Sequence, residues 1–311
     1  MSRYIVVGGA QLGPIARSDS REVVEERLLE LLRQAGDRGC QLVVFPELAL
    51  TTFFPRWWME DQEEIDSFFE HEVPGPATRR LFDEAERRGI GFCLGYAELA
   101  REGGAVRHFN TSILVDPTGR VVGKYRKIHL PGHADNRPDL PFQHLEKRYV
   151  DVGDLGFNVW RTMGGVMGMM ICNDRRWPEA YRVMGLKGVE MILLGYNTPS
   201  SVPWEPVYDD FSYFHNHLCM QSGAYQNSTW VVGVAKAGLE EGCSLIGGSA
   251  IIAPSGELVA VTSGKDDELI TARCDLDLCV HNQKAVFNFA KHRRIEHYKI
   301  ITEQTGATPP S

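Results

Sequence analysis

The sequence predicts a layered α/β fold, and two patterns carry that expectation. Short apolar runs rich in Val, Ile and Leu alternate with stretches of helical periodicity along most of the chain. That alternation lays helices on the faces of sheets. Two strand–turn–strand units read as hairpins: residues 111–115 and 121–125 around Asp116-Pro117-Thr118-Gly119, and 251–253 and 257–261 around Pro254-Ser255-Gly256. Their likeness hints at repetition between the two halves. With 311 residues and no low-complexity linker, one large domain is expected over residues 1–302. An arm is expected from about 281 to 302 and a disordered tail over 303–311.

Residues 4–12 read as a strand. Residues 20–38 read as an amphipathic helix with Val24, Leu28, Leu31 and Ala35 on one face and Gly39 just past its end. Residues 41–45 read as a buried strand that delivers Glu47 to its C-terminal edge. Helices are expected over 61–70 and 76–88, and a strand over 90–99. Beyond the first hairpin come a strand at 166–171, a helix at 178–185 opening on Pro178, a strand at 190–194, a helix at 210–226 and a strand at 230–235. Residues 130–154 form a long irregular stretch rich in Pro, His and charge, and compact domains keep such loops for function. Residues 287–297 read as a surface helix or arm.

Composition narrows the function classes. The net charge is −8 and basic residues are dispersed, so nucleic acid and anionic membrane are not expected partners. The first residues lack the pattern of a secretory signal, and no apolar run has the length of a membrane span. Seven cysteines, odd in number and without a Cys-x-x-Cys pair, argue against a disulfide framework and for a cytoplasmic protein. No His-x-x-x-His or zinc-type spacing occurs, so neither metal nor cofactor is expected.

Three separated stretches each offer one reactive group. Phe45-Pro46-Glu47-Leu48 presents a carboxylate just past an apolar run, where desolvation suits it to proton transfer. In Gly123-Lys124-Tyr125-Arg126-Lys127 strand alternation puts Lys124 and Arg126 on one side and Tyr125 and Lys127 on the other. Lys127 is therefore the inward ammonium, although the three cations could also form a solvated face. Cys172 ends an apolar run and precedes Asn173-Asp174-Arg175-Arg176. Most cysteines pack as small buried hydrophobes; this polar run sets Cys172 apart, and Lys127, Arg175 and Arg176 could supply the cationic field that lowers a thiol pKa. Together a Glu, a Lys and a Cys can activate a nucleophile, hold an oxyanion and return a proton.

The same stretches, Phe-Pro-Glu, Gly-Lys-Tyr-Arg-Lys-Ile-His-Leu and Ile-Cys-Asn-Asp-Arg-Arg-Trp-Pro-Glu, resemble the nitrilase superfamily of carbon–nitrogen hydrolases in order and spacing. The resemblance covers nearly the whole chain. The text around the motifs is most similar to the members that hydrolyse N-carbamoyl-D-amino acids. It implies a four-layer α-β-β-α sandwich and a homodimer or homotetramer. It also implies Cys172 as nucleophile, Glu47 as general base and acid, Lys127 as oxyanion donor and Glu146 as a supporting carboxylate. Read from the residues alone, Glu146 could equally pair with Lys147 or Arg148.

A substrate bearing a carboxylate calls for arginine, whose planar fork matches it. Arg175 and Arg176 are the candidates, with one of the two expected to touch substrate. His144, Asn173, Asn197 and Thr198 are further binding candidates, and His129 and His215 are expected to brace the site. Residues 134–140 and 200–207 are expected to shape the side-chain pocket. The implied reaction is hydrolysis of N-carbamoyl-D-amino acids to D-amino acid, ammonia and carbon dioxide through a covalent Cys172 intermediate. The rivals are a β-ureidopropionase, another amidase or nitrilase, and an inactive scaffold of the same fold.

Overall fold

A computed structural model of the chain describes residues 2–202 and 211–310. The described residues form two six-stranded sheets packed face to face, with helices on both outer faces. The first sheet runs in the order β14 (Glu268–Asp275), β1 (Tyr4–Gln11), β2 (Leu42–Val44), β3 (Gly91–Glu102), β4 (Ala105–Val115) and β5 (Val121–Arg126). The second runs β6 (Val159–Thr162), β7 (Gly165–Ile171), β8 (Met191–Tyr196), β9 (Trp230–Ala235), β12 (Ala250–Ile252) and β13 (Leu258–Val261). Each sheet has an antiparallel edge strand, three parallel strands and a closing antiparallel hairpin. The two hairpins read from the sequence thus occupy equivalent places in two sheets of one topology. A small hairpin, β10 (Ala237–Glu240) with β11 (Cys243–Ile246), stands apart from both sheets.

Alternation assigns the faces. Leu42 and Val44 of β2 pack with Met167, Met169 and Leu193 between the sheets. Val43 points the other way, into a second core with Leu28, Leu32, Leu81 and Phe92. That core joins the sheet to α1 (Arg21–Asp37) and α3 (Arg79–Arg88). Strands covered on both faces read as unbroken apolar runs, which is why β2 and β8 contain almost nothing polar. The apolar stripe of α1 is buried as its spacing predicts, and the Ser20 side chain caps it by accepting from Val23 N. On the far face α5 (Pro178–Leu186) and α6 (Ser212–Asn227) pack on one another, and α6 lies on β9 and β12.

Several expectations need correction. The helix expected at 61–70 is only α2 (Gln62–Asp66), because Phe68 and Phe69 turn inward onto Phe54 and Glu70 bridges to Glu98. The helix expected from residue 76 starts at Arg79, since Thr78 and Gly75 close a turn on each other. Residues 130–154 are not wholly irregular: α4 (Glu146–Tyr149) lies within them. The arm is broken into Phe289–His292 and Ile295–His297, and Glu303 ends a last helical turn. Strands β6, β10, β11 and β14 were not anticipated. Residue 210 of the expected helix 210–226 lies outside the described residues, as do 203–207 of the expected pocket segment. Among the described residues no helix is long and apolar enough to cross a membrane.

Two glycines, one in each sheet, locate the link between the sheets. A Cβ on Gly95 of β3 would lie 2.5 Å from Pro46 O, and one on Gly195 of β8 would lie 2.3 Å from Glu47 N. The Pro46–Glu47 peptide is therefore held between two strands that can approach it only without side chains. Gly195→Ala is expected to destabilise the protein by about 1–3 kcal/mol through backbone overpacking and to lower activity with it. Urea unfolding of the variant against the parent measures the first effect.

Candidate active site

The candidate groups sit where strands end. Glu47 follows β2, Lys127 follows β5, Cys172 follows β7, and Asn197 follows β8, the edge at which open α/β sheets place their chemistry. Two of these turns are strained: Cys172 has φ 46° and the residue after Glu47, Leu48, also has φ 46°. Non-glycine residues adopt this region rarely, at a cost of order 1–3 kcal/mol.

Glu47 and Lys127 are fully buried and joined. Lys127 Nζ donates to Glu47 Oε1 at 2.7 Å and to Glu146 Oε1 and Oε2 at 2.8 and 2.7 Å. His144 Nε2 lies 3.0 Å from Glu146 Oε1. Glu146 therefore pairs with Lys127 rather than with Lys147 or Arg148, and Arg148 instead stacks on Trp58. Burial by itself lowers the Lys127 pKa, but Glu146 and Glu47 reverse this and hold it above the ordinary ammonium range. Burial likewise raises that of Glu146, and Lys127 and His144 bring it below the ordinary carboxylate value. The rest of Glu47 is fixed by three bonds. Asn110 Nδ2 donates to Oε1 at 2.8 Å, Asn197 N to Oε2 at 2.9 Å, and Asn197 Nδ2 to the Glu47 carbonyl at 3.0 Å.

The cationic strand is not a solvated face. Arg126 is buried and binds Glu98, Glu102 and Asp154, while Lys124 shares Glu98. On the opposite side, with Lys127, Tyr125 OH donates to Asp174 at 2.7 Å. Asp174 also accepts from Ile171 N and His129 N, both at 3.0 Å, and lies 2.8 Å from His129 Nδ1. The His129 ring stacks on Trp177 at 4.7 Å. Asp174 thus fastens both ends of the Cys172 turn.

The two arginines part company. Arg175 is buried and fully engaged: Nε donates to Asn216 Oδ1 at 2.9 Å, Nη1 to the Cys172 carbonyl at 2.6 Å, and Nη2 to Thr198 Oγ1 at 2.8 Å. Its guanidinium also lies over the Tyr196 ring at 4.6 Å. Arg176 makes no ion pair among the described residues and lines a cavity of about 420 Å³ that reaches Cys172. Asn173, His144, Asn197, Thr198 and His215 line it too, so the structure gathers the expected binding residues except Arg175. Residues 134–140 do not line it, whereas Pro131, Gly132, Pro199 and Ser212, which the sequence reading passed over, do. Glu47, Lys127 and Glu146 do not line it in the resting protein. Among the described residues no three His, Cys, Asp or Glu side chains are grouped to hold a metal ion.

Similarity to known proteins follows the same lines. A model of the carbon–nitrogen hydrolase family matches residues 7–281. The chain belongs to that family. A Pyrococcus abyssi nitrilase is 31% identical over 86% of this chain and 90% of its own length. The N-carbamoylputrescine amidase of Solanum lycopersicum is 28% identical over 99% and 98%. The crystal structure of a Helicobacter pylori carbon–nitrogen hydrolase superposes with a TM-score of 0.80 at 24% identity, covering 97% of this chain and 99% of that one. The α-β-β-α sandwich implied by the resemblance is therefore the fold of this member of the family.

One electrostatic expectation is reversed. Burial first, and the Glu47 carboxylate second, push the Cys172 thiol up, outweighing Lys127 and Arg175. A resting thiol at neutral pH needs a base to ionise it, and of the two carboxylates that act on its titration, Glu47 and Glu146, Glu47 acts the more strongly. The pH dependence of Cys172 alkylation, resolved by peptide mass spectrometry, is expected to show a midpoint above the ordinary thiol range. Glu47→Gln removes the negative charge that opposes ionisation and should move the midpoint down. A parent midpoint below that of a free thiol would contradict this account.

Proposed function

We propose that the protein hydrolyses N-carbamoyl amino acids, with the D-series as the preferred substrates, to amino acid, ammonia and carbon dioxide. Glu47 takes the Cys172 proton, and the sulfur bonds to the carbamoyl carbon. Lys127 and the backbone N–H after Cys172 hold the resulting oxyanion. The C–N bond then breaks, and Glu47 returns its proton to the departing amine. Water, activated by Glu47, releases the acyl group from sulfur. Glu146 keeps Lys127 charged and in place.

The observation that carries the substrate class is Arg176. A cation without an ion pair among the described residues, on the wall of a cavity that reaches Cys172, suits an anionic substrate end. It disfavours a neutral nitrile or simple amide, which would leave that charge unmatched. It disfavours N-carbamoylputrescine more, because the free ammonium of that compound would face a guanidinium. The D-preference rests on the similarity of the motif surroundings alone. Arg175, with every donor edge engaged, acts as a positioning residue for the Cys172 carbonyl and Thr198.

Ammonia release from N-carbamoyl-D- and L-amino acids, β-ureidopropionate, N-carbamoylputrescine and an aliphatic amide tests the reading. The D-carbamoyl compounds are expected to turn over fastest; preference for the putrescine compound would overturn it. Cys172→Ala should abolish turnover while substrate still binds. Arg176→Ala should raise KM for the anionic substrates by about 10- to 100-fold, the worth of one hydrogen-bonded charge pair, and leave the neutral amide unaffected.

A further inference from the structure

A second buried ionic cluster makes no hydrogen bond to Glu47, Lys127 or Cys172, although the Glu47 charge acts on its lysine, Lys236. Glu240, at the end of β10, is completely buried, as is Lys236, and Arg56 is nearly so. Glu240 Oε1 accepts from Phe53 N at 2.8 Å, Arg56 Nη1 at 3.0 Å and Thr52 Oγ1 at 3.3 Å. Its Oε2 accepts from Ile15 N at 3.0 Å and Lys236 Nζ at 3.3 Å, and its carbonyl accepts from Arg56 Nη1 at 3.0 Å. Lys236 also donates to the Thr51 carbonyl. One carboxylate therefore gathers the chain from Thr51 to Arg56, which follows Glu47 by only a few residues.

That loop is tied directly to one wall of the cavity. Arg56 O and Pro55 O accept from Gln143 N at 3.3 Å and Leu145 N at 2.7 Å, either side of His144. The Phe53 ring meets the His144 ring edge-on at 5.0 Å. The other wall is tied to the same hairpin. In β11 and its turn, Ser244 O accepts from Ser200 N at 2.7 Å, and Ile246 N donates to Thr198 O at 2.9 Å. His144 and Thr198, one on each attachment, both line the cavity.

We propose that Glu240 is a positioning residue for the substrate pocket, setting the separation of its His144 and Thr198 walls through the Thr51–Arg56 loop and the β10–β11 hairpin. It touches neither Cys172, Lys127 nor Glu47, which are held by bonds of Asn110, Asn197 N, Asp174 and Arg175 that do not include Glu240. Its removal therefore acts on binding before it acts on bond making. The two cations supply the reason a carboxylate is needed. Burial pushes Lys236 down to about 8 even beside Glu240, and a neutral amide at position 240 would leave Arg56 and Lys236 uncompensated. The proposal rests on the carbamoyl-hydrolase reading for its kinetic readout only.

The test pairs Glu240→Gln with Phe53→Leu, which removes the ring contact to His144 and leaves the ionic cluster whole. Amide hydrogen exchange by mass spectrometry reads the geometry without any substrate. Both variants are expected to exchange faster at residues 143–145, Glu240→Gln also at 198–200, with 171–176 unchanged. On the best N-carbamoyl-D-amino acid, both are expected to raise KM about tenfold with kcat within a few-fold. Glu240→Asp should recover part of the loss. Equal loss of protection everywhere, or faster exchange confined to residues 51–56 and 236–240 with KM unchanged, would overturn the proposal by making Glu240 a stability residue alone. Faster exchange at the two walls without turnover of any carbamoyl compound would uphold the positioning role and count against the proposed substrate.

Discussion

A single buried ammonium shared by two buried carboxylates constrains the rest of the molecule. Lys127, Glu47 and Glu146 would each be intolerable where they stand without the others, since an isolated buried charge costs several kcal/mol. Two carboxylates face one ammonium, and further polar groups complete the array: Asn110 and the Asn197 backbone donate to Glu47, and His144 Nε2 lies 3.0 Å from Glu146. Every one of these groups comes from a different strand or loop. Their positions must be held to within hydrogen-bond tolerance, and that demand explains the rigid two-sheet frame and the side-chainless approaches at Gly95 and Gly195. Burial first, and the Glu47 carboxylate of this array second, keep the neighbouring thiol protonated at rest against the pull of Lys127 and Arg175.

Much of this was legible in the sequence, for reasons that can be named. Glu47, Lys127 and Cys172 stand at the ends of apolar runs, and a polar residue that follows a buried strand is a local signal. Alternation placed Lys127 inward because Tyr125 and Lys127 share a side. Periodicity located α1, its serine cap and its glycine stop, since all of those lie within one stretch of chain. What failed was what depends on partners far away. Phe68 and Phe69 continue a helical pattern but are drawn off by Phe54. Strand β14 has little to mark it until it pairs with β1, more than 250 residues earlier.

The supporting residues divide in the same way. Asn110 was passed over because it opens the polar triplet Asn110-Thr111-Ser112, which nothing local marks as buried. Asp174 and Tyr125 lay inside quoted motifs, but nothing local said that they bond to each other. Sequence cannot separate Arg175 from Arg176: adjacent residues on a tight turn point apart, and which of them faces inward depends on Asn216 and Thr198. The cluster of Arg56, Lys236 and Glu240 left no trace at all, because its members read one at a time as ordinary surface charges.

The placement of Pro46–Glu47 between β3 and β8 carries a consequence for how the chain matures. Neither sheet alone contains a complete set of reactive groups: the carboxylate and the ammonium belong to one, the thiol to the other. A ribosome-bound or half-assembled chain therefore carries a cysteine with no base beside it and no cavity above it. The three groups come together only when the two sheets dock, through contacts that are non-local in the chain. The unassembled thiol keeps the ordinary acidity of a free cysteine, and only docking both buries it and sets Glu47 in its field. Competence to react and completion of folding become the same event.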